Sequence, residues 1–320
     1  MSDPLLPPTL CGGSAAGELA CAVVVTYNRP ALLRACLLAI QAQARAVDTL
    51  LVVDNASTDG TRAMLRAEFP GATVLALAAN GGGAGGFHAG MKWAYAQGYD
   101  WLWVMDDDAR PAPDCLARLL AQARPDRVLV PIQQATAEGG LYGISAWRHA
   151  ADVDIEVTAE VVAQGRSVSG DFVFRFVGPL IAREVVAQIG LPNKDFFIWW
   201  DDIEYALRIQ RRTQLEIVAV PDARIFHLAD FKGESREAFF LGRRSLRNPP
   251  PIWKTYYGAR NHCYLVIRTR RDPRDILWYL LVHLKLLLGE LAFEPDRWER
   301  AKMHLLGIFD GALGRLGKRV

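Results

Sequence analysis

The chain has 320 residues, 51% of them hydrophobic and 22% charged, which is enough apolar matter for one large core or a core with an appendage. A formal net charge of +2 excludes a global pull toward nucleic acid. Five scattered cysteines without a C-x-x-C pair exclude a disulfide framework and read as reduced thiols of a cytoplasmic protein.

Residues 1–19, rich in Pro and Gly, lack the basic start and apolar centre of a signal peptide and are expected to form a loose arm. "CAVVVT" (21–26) predicts a fully buried strand, and Pro30 suits the first turn of a helix whose Leu33, Leu37, Ile40 and Ala44 share a face. "TLLVVD" (49–54) predicts the second strand, and the polar turn "NASTDGT" opens a helix through "RAMLRAEF". "ATVLAL" (72–77) predicts the third strand, followed by the cluster "NGGGAGGF" and a helix over "AGMKWAYAQG". "DWLWVM" (100–105) predicts the fourth, ending in Asp106, Asp107 and Asp108. Strands alternating with helices at this spacing predict a parallel sheet covered on both faces. Further strands are expected in "RVLVPI", "DFVFRFVGPLIA" and "EIVAVPDARIFH", with a helical segment over "FFIWWDDIEYALRIQ" between the last two and a helical region after residue 250. No run of about 18 uninterrupted apolar residues occurs, so no transmembrane span is expected.

In such sheets the ligand sits beyond the carboxyl ends of the strands. There "TYNR", "DNASTD", "NGGGAGGF" and "DDD" all arrive at one edge. The glycine cluster contains a literal G-x-G-x-x-G at Gly81, Gly83 and Gly86, with Asp106 twenty residues on. The match is poor for a dinucleotide site, because the turn follows the third strand and the acid is one of three. A glycine turn for close helix packing stays open. Three acids ending a buried strand need compensation, which suits a hard cation. Asp201 and Asp202 stand near a helix start beside Trp199 and Trp200, residues fit for a proton acceptor beside stacking rings or for a capped helix with core aromatics. His227, ending a strand, is open to a structural or a metal role.

"VVVTYNRPALLRACLLAIQAQ", "LLVVDNASTDGT", "NGGGAGGF", "WVMDDDA", "WWDDIEYALR" and the late histidine resemble the family 2 inverting glycosyltransferases of the GT-A fold, closest to bacterial galactofuranosyltransferases, with rhamnosyltransferases next. The doublet "WW" departs from that pattern, where a single Trp follows a basic residue. The resemblance implies an α/β, GT-A-type, Rossmann-like nucleotide-sugar-binding domain over 20–235 with a mostly parallel central sheet, then a helical region over 236–320. It implies donor contacts from Thr26, Tyr27, Arg29, Asp54, Asn80, the Gly85–Gly86 backbone, Asp106 and Asp107. It implies Mn2+ or Mg2+ on Asp106, Asp108 and His227, Asp202 as general base, and Asp201, Trp199 and Trp200 at the acceptor. Arg260, with Lys254 and Asn261, is expected at the acceptor's diphosphate. The implied donor is UDP-galactofuranose, with dTDP-rhamnose the alternative, and the implied acceptor a polyprenyl-diphosphate-linked or other glycan. Rivals of another class are a sugar nucleotidyltransferase, whose glycine loop belongs after the first strand, and a non-catalytic nucleotide-sugar-binding protein.

The apolar stretch 276–293 follows Arg268, Arg270, Arg271 and Arg274, and His283, Lys285 and Glu290 make it too polar to span a bilayer comfortably. Two readings are open: a buried helix of the C-terminal region, or a helix lying peripherally on the inner face of the cell membrane.

Overall fold

The computed structural model describes residues 18–134, 173–212, 214–227, 249–269, 273–294 and 296–320, and the backbone of short strands at 141–142, 144–148, 151–155, 168–169, 236–240 and 243–247. The expected arm lies outside these except for its last two residues, as do Arg270 and Arg271. The chain divides into two compact units; the first takes residues up to 194 with 201–228, and the second takes 195–200 and the chain from 229 on. Four residues, 148–151, also group with the second unit.

In the first unit, β1 (Ala20–Thr26), β2 (Thr49–Asp54), β3 (Thr73–Ala76) and β4 (Trp101–Asp106) pair in parallel, in the order β4-β1-β2-β3. Every residue of β1 is buried, as a strand covered on both faces requires. Helices α1 (Pro30–Gln41), α2 (Thr61–Glu68) and α3 (Gly82–Gln97) make the crossovers. Helix α1 stops before Ala44, so its buried face is Leu33, Cys36, Leu37 and Ile40. Beyond β4 the sheet is mixed rather than parallel. After β5 (Ala109–Pro111) and α4 (Cys115–Leu120) come β6 (Arg127–Gln134), β7 (Val177–Ala182), α5 (Arg183–Ile189), α6 (Asp201–Gln210) and β8 (Glu216–His227). Strand β7 runs antiparallel to both β4 and β6, and β8 runs parallel to β6. Of the expected strand 171–182, Val177–Ala182 pairs and residues 173–176 are not strand, while 171–172 lie outside the described residues.

The glycine cluster is not a loop: α3 begins at Gly82 and contains it. Low helix propensity is overcome at two points. Asn55 and Asn80 cap the start, their Oδ1 atoms accepting from Gly81 N at 2.9 Å and Gly82 N at 2.7 Å. Farther along, α3 presses on the sheet so closely that a Cβ on Gly86 would stand 2.4 Å from Val25 Cγ1, and one on Gly90 2.4 Å from Val23 Cγ1.

In the second unit, α7 (Ile252–Thr269), α8 (Pro273–Phe293) and α9 (Arg297–Ala312) pack together. Gly307 and Gly311 bring α9 onto the α7 backbone, since a Cβ there would meet Tyr256 O at 2.4 Å and Arg260 O at 2.3 Å. One histidine from each helix forms a row: His262 Nδ1 to His283 Nε2 at 2.9 Å, His283 Nδ1 to His304 Nε2 at 2.8 Å, and His304 Nδ1 to both Glu290 oxygens at 3.0 Å.

Helix α8 overturns one expectation. It is not a buried helix: only Asp275, Tyr279 and His283 are buried, while Leu277 is 58% and Leu288 57% exposed. Its 21 residues are also long and apolar enough to cross a membrane by length and composition, against the expectation that no segment is. On α9, Trp298, Leu305 and Phe309 are exposed as well.

Candidate active site at the carboxyl edge of the sheet

Parallel pairing brings three side chains to one edge. Thr26 ends β1 opposite Asp54 of β2, and Asp106 ends β4 beside Val25. His227 reaches the same edge because two reversals, β4 to β7 and β7 to β6, cancel before β8. Strand β5 then pairs antiparallel with the end of β8, His227 opposite Ala109, which sets the histidine beside Asp108.

The three acids are held differently. Asp107 accepts from Thr26 Oγ1 at 2.7 Å and from Arg29 at 3.4 Å; burial, only partly offset by these partners, still lifts its pKa to about 6. For Asp108, burial is outweighed by the neighbouring His227 and Arg29, which leave its carboxyl below the usual range. Asp106 is pushed well above that range by enclosure in the protein and then by Asp108, Asp107, Asp201 and Asp202. Asp201, buried at the start of α6, is raised by burial and by Asp202. Asp202 is less enclosed and accepts the Ile203 N–H at 2.7 Å.

A divalent cation fits this set on one structural observation. His227 Nε2 stands 3.2 Å from Asp108 Oδ1, yet that buried oxygen receives no aligned hydrogen bond. Its lone pairs and the repelling Asp106 suit a hard cation. Among the described residues no three His, Cys, Asp or Glu side chains already stand as a ligand cluster.

The other expected donor residues are placed unevenly. Tyr27 is exposed at the edge, whereas Arg29 pairs with Asp107 and Asp108 rather than standing clear. Asp54 is buried against Ser57 N and the Arg62 guanidinium, which hold its carboxyl below the usual range despite burial. Gly85 presents an open face, but Gly86 faces Val25, so its missing side chain serves packing rather than donor approach. Asn80 caps α3, a task that sequence reasoning missed along with Asn55; the N-x-G spacing at a strand end was the available signal.

Trp199, Trp200 and Arg260 belong to the second unit. Trp199 is 40% exposed, with its ring against Gly258, and Trp200 stacks on His262 with centroids 4.4 Å apart. Arg260 is corrected: it is 0% exposed and donates to the carbonyls of Asp195, Phe196 and Gly317, so its guanidinium braces the fold instead of meeting a diphosphate.

The comparisons name the class to which a sheet of this topology, with acids at its carboxyl edge, belongs: the glycosyltransferases. The family model "Glycosyl transferase family 2" matches residues 21–160. A galactofuranosyltransferase, GlfT1, of Mycolicibacterium smegmatis is 30% identical over 299 residues, 85% of this chain and 93% of the relative. A dTDP-rhamnosyl transferase, RfbF, of Shigella flexneri is 24% identical over 304 residues, 92% and 96% of the two chains. Among solved structures, GalNAc-T7 with UDP, GalNAc and Mn2+ shares the fold at a TM-score of 0.59 and 14% identity, over 93% of this chain, which spans only 56% of that one. The mannosyltransferase PcManGT of Pyrobaculum calidifontis, with GDP-Man and Mn2+, gives 0.53 at 18% identity over 96% and 79%. The chain belongs to glycosyl transferase family 2, and its fold is of the GT-A type. Family membership sets aside the nucleotidyltransferase and the non-catalytic binder.

Proposed function

We propose that this glycosyltransferase is metal-dependent and inverting, and moves galactofuranose from UDP-galactofuranose onto a hydroxyl of a polyprenyl-diphosphate-linked glycan at the inner face of the cell membrane. The observation that carries the reading is the acid edge, where burial and then four other carboxylates raise Asp106, and where Asp108 Oδ1 is buried without an aligned donor. Asp106, Asp108 and His227 would hold Mn2+ or Mg2+, which when bound neutralises charge gathering on the diphosphate leaving group. Asp107, anchored by Thr26 and Arg29, is oriented to hold the nucleotide. Tyr27 is available to a base, while Asp54 and Asn80 line the same edge as parts already bound to protein.

Asp202 takes the proton of the acceptor hydroxyl as that oxygen bonds to the anomeric carbon. The bond from that carbon to the diphosphate breaks, and its electron pair leaves with the diphosphate. One displacement inverts the centre. Asp201 holds an acceptor hydroxyl, and Trp199 and Trp200 offer faces for sugar rings. Likeness to the galactofuranosyltransferase at 30% identity favours that donor; the rhamnosyltransferase at 24% keeps dTDP-rhamnose as the second reading. Product analysis with a donor panel and Mn2+ tests it: transfer from UDP-galactofuranose, abolished by chelator, is expected. Transfer from dTDP-rhamnose alone, or full activity in excess chelator, overturns it.

The membrane reading rests on the exposed leucines of α8 and the exposed Trp298 and Phe309 of α9. One face of α8 is committed to α7 and α9 through Tyr279 and His283, which supports a helix lying along the membrane surface rather than crossing it. Exposed Arg268 and Arg274 suit anionic headgroups. Co-sedimentation with phosphatidylglycerol vesicles that salt weakens is expected. Failure to sediment at low ionic strength refutes it.

A further inference from the structure

Residues 196–200 carry three non-glycine residues in the left-handed region, Phe197 at φ +67°, Trp199 at +63° and Trp200 at +69°. Residues with a side chain are disfavoured there, so something must hold them in place. The holder is one stretch of α7. Arg260 donates through Nη2 to the carbonyls of Asp195 at 3.2 Å and Phe196 at 2.8 Å. Its Nε donates to Asn261 Oδ1 at 2.8 Å, which turns the Asn261 amide so that Nδ2 faces the chain. That nitrogen lies 3.0, 2.8 and 2.9 Å from the carbonyls of Phe196, Ile198 and Trp199. Gly258 leaves room for the Trp199 ring, since a Cβ there would stand 3.2 Å from it. His262 lies parallel to Trp200, the planes 9° apart.

The His262 ring is itself fixed. Glu290 lies against His304 Nδ1, His304 Nε2 against His283 Nδ1, and His283 Nε2 against His262 Nδ1, so each contact takes one proton and the rings are tied in a single row. Burial, with His262 and His304 on either side, keeps His283 neutral by lowering its pKa to about 3. His283 and His304 are each held at both ring nitrogens and His262 at Nδ1, so none of the three rings is free to turn.

We infer that Gly258–His262 is a positioning device for the acceptor platform, and that the row from Glu290 to His262 sets the plane of the Trp200 ring. This rests on the reading that the acceptor's sugars lie on Trp199 and Trp200. No residue of the row touches substrate; it acts through Trp200.

The test uses UDP-galactofuranose and a panel of farnesyl-diphosphate-linked mono- and disaccharides with the full chain. His262→Ala is expected to raise the acceptor KM about three- to tenfold, with the donor KM and acceptor-free donor hydrolysis within about twofold of the parent. His262→Phe keeps a flat face but loses the bond to His283, so it is expected to recover the acceptor KM only in part, to about two- to fourfold above the parent. In a Trp200→Ala background, His262→Ala adds nothing. Should His262→Ala fail to fold, 5-fluorotryptophan labelling decides: the Trp200 fluorine resonance, assigned by its loss in Trp200→Phe, shifts in a folded His283→Gln. An unmoved resonance, an unchanged acceptor KM, or a parallel fall in transfer and hydrolysis overturns the inference. If the wild-type protein hydrolyses donor but transfers to no acceptor, the acceptor reading fails, while the fluorine spectrum still reports on the row itself.

Discussion

Two buried polar neighbourhoods in this chain are built on opposite terms. At the carboxyl edge of the sheet, Asp106 is surrounded by acids and Asp108 Oδ1 is buried without an aligned donor. In the helical unit, by contrast, Arg260 spends its guanidinium on Asn261 and three carbonyls, and three histidines bond to one another and to Glu290 in a row. Matched polar groups in low dielectric lock one conformation; unmatched ones store free energy that a ligand releases. The contrast teaches which buried charges to read as chemistry and which as carpentry.

Four experiments would break or sharpen that contrast. The largest effect is expected at Asp202: Asn there should lower the transfer rate by about 10²–10⁴-fold, while donor affinity by calorimetry stays near wild type. Turnover within a few-fold of the parent would remove Asp202 as base. Next, Arg260→Leu should destabilise the fold by about 3 kcal/mol in denaturant titration, because it removes the guanidinium's bonds to Asn261 and to three carbonyls at a fully buried site. A neutral result would mean that the satisfied network is ornamental.

The third concerns acid. His283 faces His262 of α7 and His304 of α9, with Tyr279 beside it on α8. Its folded pKa of about 3 lies below the ordinary 6.5, so between those values the unfolded chain binds a proton that the folded chain refuses. Stability contributed by this group is complete above the upper value and falls as pH drops; at pH 5 the loss is about 2 kcal/mol. His283→Gln should flatten that slope in melts between pH 7 and pH 5. The smallest effect has the opposite sign from the others. Asp106→Asn should stabilise the metal-free protein by about 1 kcal/mol, since it replaces an acid whose ionisation burial and four neighbouring carboxylates oppose. Destabilisation in chelator-treated samples would show that the acid edge is already compensated.

Much of the first unit was legible. Strands β1, β2 and β4 are apolar runs of the kind that strands covered on both faces carry, β6 and β8 open with such runs, and the acids ending β2 and β4 announced the edge. The glycine helix was hidden because propensity argues against it, and the capping amides and the fit against Val23 and Val25 are tertiary facts. The role of Arg260 was misread because a sequence shows a cation but not the carbonyls around it. The histidine row was invisible for a simpler reason: its members lie 21 residues apart, on three helices whose pairing no local period encodes.

The short excursion of residues 195–200 into the helical unit bears on how such a chain is divided and recombined. A cut at 235, where the strand pattern gives way to helices, removes the α7 groups that hold carbonyls 195, 196, 198 and 199. The strained tryptophan segment then belongs to neither fragment. Exchange between relatives therefore has a natural unit, and it is discontinuous: a C-terminal region grafted from another member must bring its own counterpart of residues 195–200, inserted one peptide bond before Asp201. Chimeras that keep the two together inherit a working pair, and those that separate them inherit a loop with nothing to grip.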